Sequence, residues 1–338
     1  MIESLELRRL MSAALKVGAL GDSYTDEYQF YAPDRSTARN YIEQLAGDRQ
    51  IDFGAFTSTP RALPRNGGFA NKWALSGDTS ADMIADGQVS GLAAQISAGK
   101  VRTALVFIGG NDFRDVFSAT DPIAALGSVV PNAVANVSSA VNSLLAASPH
   151  AKVVVATLPK VSVFPQVKGA IAAGFLPQAL ADAVDQGVAA FDAQIRDLAA
   201  SSDRIALADV DVLVNSIFAP AQFKVGGVTI DRDLPSDNPS SVWLADGLHA
   251  GTVAQGLLAN VFIDAMDDEF HAHIRPLSSN EILHNAGLPP GAGGGFCDRH
   301  IGDARHGDWK HRADDLFGDS SRGVNEALPS RRTEEAHP

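Results

Sequence analysis

Residues 101–112 read Val101-Arg102-Thr103-Ala104-Leu105-Val106-Phe107-Ile108-Gly109-Gly110-Asn111-Asp112. A nearly unbroken apolar run ends at two glycines and two polar side chains. Such a run suits a strand covered on both faces, as in a parallel sheet. Comparable runs stand over 15–20, 51–56, 153–158 and 205–210. Ala-rich helical patterns lie between and after them, over 37–47, 80–98, 123–147, 177–200 and 252–270. The alternation predicts an α/β fold: a three-layer α/β/α sandwich with a flavodoxin-like five-stranded parallel sheet. Residues 223–231, with Gly226-Gly227 at their centre, read as a hairpin before the last helix.

The 338 residues are 45% hydrophobic and 20% charged, enough apolar material for a sizeable core. Lys+Arg number 27 and Asp+Glu 40, a net charge of −13 that disfavours nucleic-acid backbones and anionic membrane surfaces. Cys297 is the single cysteine, which excludes an intramolecular disulfide and any multi-cysteine metal centre. No apolar run in the sequence reads as a membrane span. No signal-peptide stretch precedes the first strand, so a leader already removed from a secreted bacterial protein and a cytoplasmic location both stay open. Seven of the nine histidines follow residue 270, together with Pro289-Pro290 and Gly293-Gly294-Gly295. That composition divides the chain into a domain over 1–275 and a poorly structured tail over 276–338, with a short helix near 279–286. Within the tail, Cys297, His300, His306 and His311 have zinc-ligand chemistry at irregular spacing, and a solvated tail is the competing reading. Residues 277–288 also faintly resemble the spacer before a C-terminal sorting anchor, with no apolar anchor following.

Ligands of parallel sheets bind beyond the carboxyl ends of the strands. Gly21-Asp22-Ser23-Tyr24-Thr25 stands at the end of the first strand. A serine on a tight turn there faces the crevice, and the helix start behind it offers N–H donors. The tripeptide alone is weak, because Gly318-Asp319-Ser320 repeats it in the tail without a strand. Ser76-Gly77-Asp78-Thr79-Ser80 opens a helix, with Thr79 and Asp82 as a capping box. Gly77 offers a backbone N–H, or is merely a turn glycine. After the third strand Asn111 presents a side-chain amide suited to an oxyanion, or serves as a turn residue. Asp246-Gly247-Leu248-His249 precedes the last helix, where Thr252 and Gln255 suggest a second capping box. A carboxylate three residues before an imidazole can orient it as a base. The other histidine of the folded part, His150, falls at the opposite edge of the sheet.

These four segments, in this order, resemble the GDSL or SGNH hydrolase family, over about residues 15–270. Its four blocks map to Ser23, Gly77, Asn111 and His249, with Asp246 completing Asp-x-x-His. Ala250 follows His249 where many members carry proline. The resemblance implies Ser23, Asp246 and His249 as catalytic residues, with an oxyanion hole from Ser23, Gly77 and Asn111. It implies hydrolysis of O-acyl esters, short-chain or carbohydrate-linked, with no metal or cofactor and with a small-molecule or carbohydrate ester as partner. Asp22, Tyr24, Trp73 and Trp243 are candidate substrate contacts. The stretches 28–68 and 212–243 are candidate pocket walls or packed loops. Acyl transfer to an alcohol and a non-catalytic carbohydrate- or ligand-binding module are the alternatives on the same fold. A flavodoxin-like nucleotide binder is weaker, since Asp26 and Glu27 would repel a phosphate.

Overall fold

The computed structural model describes residues 14–26, 38–59, 61 and 67–290. β1 (Val17–Gly21) is buried along its length, and α1 (Tyr41–Arg49) follows, closed at its start by an Asn40–Glu43 capping box. β2 (Phe56–Thr57) and β3 (Gly68–Phe69) form a small antiparallel pair. Next come α2 (Ser80–Ala85), α3 (Gln88–Ser97), β4 (Thr103–Phe107), α4 (Gly110–Val116) and α5 (Pro122–Ala146). β5 (Lys152–Ala156), α6 (Pro165–Ala172), α7 (Gln178–Ala200) and β6 (Ile205–Ala208) continue the alternation. α8 (Val210–Phe218) leads to the hairpin β7 (Lys224–Val225) and β8 (Val228–Thr229), as expected, and α9 (Thr252–Phe270) and α10 (Ser279–Asn285) close the described chain.

The central sheet is parallel, in the order β1-β4-β5-β6. Val17 faces Thr103 at one end of the β1–β4 ladder and Gly21 faces Phe107 at the other. α1 and α9 pack together, while α3, α5 and α7 pack in a row, giving the α/β/α sandwich. Apolar side chains from both helix layers meet those of β1, β4, β5 and β6 in one continuous core.

The sheet has four strands, where five were expected. Residues 51–56 do not form a full strand. Asp52 makes one parallel bridge to Lys16, with Val17 N–H donating to Asp52 O at 2.9 Å. Gly54 then takes a left-handed φ of 78°, its N–H bonded to the Asp52 carboxylate, and the chain turns away. The rest of the β1 edge is covered by residues 71–75. Ala19 N–H donates to Asn71 O, Trp73 N–H to Ala19 O, and Leu75 N–H to Gly21 O. Two short segments thus satisfy an edge that one strand was expected to cover.

Two further expectations are corrected. The helix expected over 80–98 is two helices, parted at Gly87, whose φ of 80° cannot continue an α-helix. The domain boundary expected at 275/276 cuts through packed chain, because Leu277, Ile282, Leu283 and Ala286 are buried in the core. Ser278 and Glu281 form the capping box of α10, and Arg49 bonds both Glu281 and the Pro276 carbonyl. Among the described residues one helix, α5, is long and apolar enough to cross a membrane by length and composition alone, which does not by itself make it a span. It packs in the sandwich along Ala133, Val137, Ala140, Val141, Leu144 and Leu145. Cys297, His300, His306 and His311 lie outside the described residues, as do residues 28–37, 60 and 62–66 of the first candidate wall.

Candidate active site

β1 delivers its last residue, Gly21, to the carboxyl edge of the sheet, and the chain turns at once. Thr25 N–H and Asp26 N–H both donate to Asp22 O, and Tyr24 N–H donates to the Asp22 carboxylate. This turn leaves Ser23 half-buried at the edge. Its Oγ lies 2.9 Å from His249 Nε2. On the far side of the ring, His249 Nδ1 lies 2.5 Å from Asp246 Oδ2. Asp246 Oδ1 also accepts the N–H groups of Leu248 and His249, both at 2.9 Å. Burial works against the Asp246 charge, yet these bonds outweigh it and hold the carboxyl below the usual carboxylate range. The imidazole is buried, which favours a single ring orientation. A serine, an imidazole and a carboxylate therefore stand in one hydrogen-bonded row, an arrangement that can move the serine proton onto Nε2.

The other candidate site residues, Gly77 and Asn111, lie on segments joined by one hydrogen bond. Gly77 is exposed and has a φ of 92°. A Cβ there would meet nothing within 4 Å, so the left-handed backbone and not the available space demands glycine. Asn111 is on the first turn of α4, 6% exposed, and its Nδ2 donates to Asp78 O at 2.8 Å. That bond fixes the amide plane beside the Gly77 loop. Thr79 and Asp82 form the expected capping box of α2. Thr252 and Gln255 do not form theirs. α9 has no side-chain cap; Thr252 Oγ1 accepts Arg39 N–H and Gln255 Oε1 accepts Tyr41 N–H, tying α9 to the start of α1.

The four candidate substrate contacts divide. Asp22 is 7% exposed, and burial pushes its carboxyl up to about 7, against the Tyr24 N–H bond and the nearby His249. Tyr24 packs edge-on to Phe107, and its hydroxyl donates to Leu248 O at 2.7 Å. Trp243 is buried, its indole N–H bonded to Arg232 O. Tyr24, Phe107, Trp243, Ala250, Val214 and Phe218 are among the walls of an apolar cavity of about 40 Å³. Several of these belong to the second candidate wall, 212–243. Trp73 is elsewhere. Its ring lies over Gly91 of α3 and its N–H donates to Gln95, which makes it a packing residue under the β1 edge.

Sequence reasoning passed over the residues that join these loops. Asp26 is buried, ion-paired with Lys72 at 2.6 Å, and accepts both the N–H and the hydroxyl of Ser76. Asp112 accepts the N–H and hydroxyl of Ser80, and burial raises its carboxyl nonetheless. Only its place in Gly-Gly-Asn-Asp marked Asp112 beforehand. Among the described residues, no group of three or more His, Cys, Asp or Glu side chains is placed to hold a metal ion.

Fold and site define a hydrolase-type sandwich, and the family profile of the GDSL-like lipase/acylhydrolase family matches residues 19–252. The chain belongs to that family. Among solved structures it is similar to an extracellular lipase from Streptomyces rimosus, at 19% identity over 75% of this chain and 100% of that one, with a TM-score of 0.43. It is also similar to a family 3 carbohydrate esterase from Clostridium thermocellum, at 15% identity over 77% and 98%, with a TM-score of 0.43. A third is the catalytic domain of a Streptococcus pneumoniae peptidoglycan O-acetyltransferase, at 13% identity over 76% and 96%, with a TM-score of 0.37. No curated protein sequence matches.

Proposed function

We propose that this protein is a serine carboxylic-ester hydrolase acting on esters of short acyl groups through an acyl-enzyme. One observation carries the reading: the row of Ser23 Oγ, His249 and Asp246 at 2.9 and 2.5 Å. In the first half-reaction, Ser23 Oγ bonds to the ester carbonyl carbon as His249 Nε2 takes its proton. Asp246 holds Nδ1–H and stabilises the imidazolium. The carbonyl oxygen becomes an oxyanion, met by the Ser23 N–H, the Gly77 N–H and the Asn111 amide. The bond to the alcohol oxygen then breaks as His249 returns the proton to it. Water repeats the sequence and frees the acid. An acceptor alcohol in place of water would make the same acyl-enzyme a transferase.

The apolar cavity walled by Tyr24 and Ala250, the neighbours of Ser23 and His249, suits an acyl chain, and we place it there. A test is turnover of p-nitrophenyl esters from two to eight acyl carbons by the parent and by Ser23→Ala. A preference for two to four carbons and a loss of about 10⁴-fold or more in Ser23→Ala are expected. Undiminished turnover in Ser23→Ala ends this reading, and a preference for eight carbons ends the short-chain part alone.

A further inference from the structure

Gln88 is the first residue of α3, and it is 2% exposed. Its side-chain amide makes three hydrogen bonds. Oε1 accepts Gly21 N–H at 3.0 Å, and Nε2 donates both to Gly21 O at 3.0 Å and to Asp78 Oδ2 at 2.7 Å. At the end of β1, beyond the Leu75 N–H bond to Gly21 O, this amide supplies pairing that a neighbouring strand's peptide would otherwise give. Gly21 is two residues before Ser23, and Asp78 directly follows Gly77. The same Asp78 offers its backbone carbonyl to Asn111 Nδ2. One glutamine and one aspartate thereby join all three segments that carry the N–H donors.

Resting on the reading above, we propose that Gln88 is the positioning residue of the oxyanion site, setting through Asp78 the spacing between the Ser23 N–H, the Gly77 N–H and the Asn111 amide. It touches no substrate. Its effect is on where the donors stand when the carbonyl oxygen becomes charged. Donor position matters most at that moment, because hydrogen bonds aimed at the developing charge lower the barrier without tightening ground-state binding. Other contacts brace the same loop, such as Asp26 with Ser76 and Leu75 N–H with Gly21 O. These hold residues 75 and 76, however, and among the described residues only the Gln88–Asp78 bond grips the loop beyond Gly77 from the β1 side. Removing it loosens Gly77 while the Ser23–His249–Asp246 row is left alone.

The test compares Gln88→Leu, Asp78→Ala and Asp78→Asn with the parent, using p-nitrophenyl butyrate for kcat and KM. A trifluoromethyl ketone, whose adduct with Ser23 bears an oxyanion, reports the site directly. Gln88→Leu and Asp78→Ala are expected to lower kcat by about 10- to 100-fold, as for displaced catalytic groups, with KM within about threefold. Affinity for the ketone should fall by the same factor. Asp78→Asn keeps a carbonyl oxygen for Gln88 Nε2 and should stay within about threefold of the parent. Unchanged kcat in Gln88→Leu overturns the proposal, and Asp78→Ala takes its place as the deciding variant if Gln88→Leu does not fold. A rise in KM at constant kcat overturns it too, as does an Asp78→Asn defect equal to that of Asp78→Ala. Ser23→Ala, assayed alongside, separates the two levels: turnover there defeats the serine mechanism, whereas an inactive Ser23→Ala with a fully active Gln88→Leu defeats this proposal alone.

Discussion

Tyr24 couples the two halves of the site through one hydroxyl. It follows the serine directly, yet it bonds to the carbonyl of Leu248, the residue before His249. Its ring lies 5.8 Å from the imidazole, so it packs beside the base it tethers. Tyr24→Phe keeps the ring and loses the tether. The expected result is about 1 kcal/mol less stability and a kcat lower by up to about tenfold, read from thermal melts and p-nitrophenyl ester turnover. A variant equal to the parent in both would show that the 246–249 loop needs no support from the β1 turn. At this scale the sequence singled out Ser23, Gly77, Asn111, Asp246 and His249 as candidates, since each stands in a short local motif with a chemical reason for its residue type, and the structure brings Ser23, His249 and Asp246 into one row. It was silent about Gln88. A glutamine at a helix start has no signature, and its three bonds run to residues 10 and 67 positions away.

Secondary-structure elements show a similar division. α9 spans Thr252–Phe270, as the apolar pattern indicated, because long periodic segments carry their own signal. α4, α6 and α8 are seven to nine residues long and were missed. The C-terminal element was underestimated for a different reason. Residues 277–288 look like tail by composition, but α10 docks on α9 and α1. Asn260 bonds both ways with Leu277, and Arg49 clamps Glu281 with a side chain only 5% exposed. These bonds to Arg49 and others from Arg275 and Ser278 overcome burial and hold the Glu281 carboxyl far below its ordinary range. A chain ended after residue 275 should melt well below one ended after residue 290, since burying Leu277, Ile282 and Leu283 is worth roughly 1.5–3 kcal/mol each. Equal melting temperatures in differential scanning calorimetry would mean that this docking contributes nothing to stability.

The whole molecule carries buried carboxyls that make its stability depend on pH. Burial pushes Asp22 and Asp192 up to about 7 and Asp78 to about 6. Between about pH 4 and 7 the folded chain keeps protons that the unfolded chain has released, so stability falls as pH rises through that window and is level above it. Glu281 and Asp246, both held low, act in the opposite sense, and their contribution disappears only as pH falls further. The melting temperature should therefore be higher at pH 5 than at pH 8. Asp192, 2% exposed, accepts Leu158 N–H, a bond that Asn can keep. Asp192→Asn should raise the melting temperature at pH 8 by about 5 °C and change it little at pH 5. A parallel offset at both pH values would remove Asp192 from the account. By itself the sequence determined the sandwich class, the elements long enough to be periodic, and the chemistry offered at each strand end, because these follow from local patterning along the chain. Tertiary structure alone decided that the β1 edge is covered by two short segments in place of a fifth strand, that residues 277–288 belong to the body, and which buried amides and carboxylates join the segments of Gly21, Asp78 and Asn111. Those outcomes depend on contacts between residues distant in the chain, and no local pattern encodes the burial and hydrogen-bond partners that such contacts create.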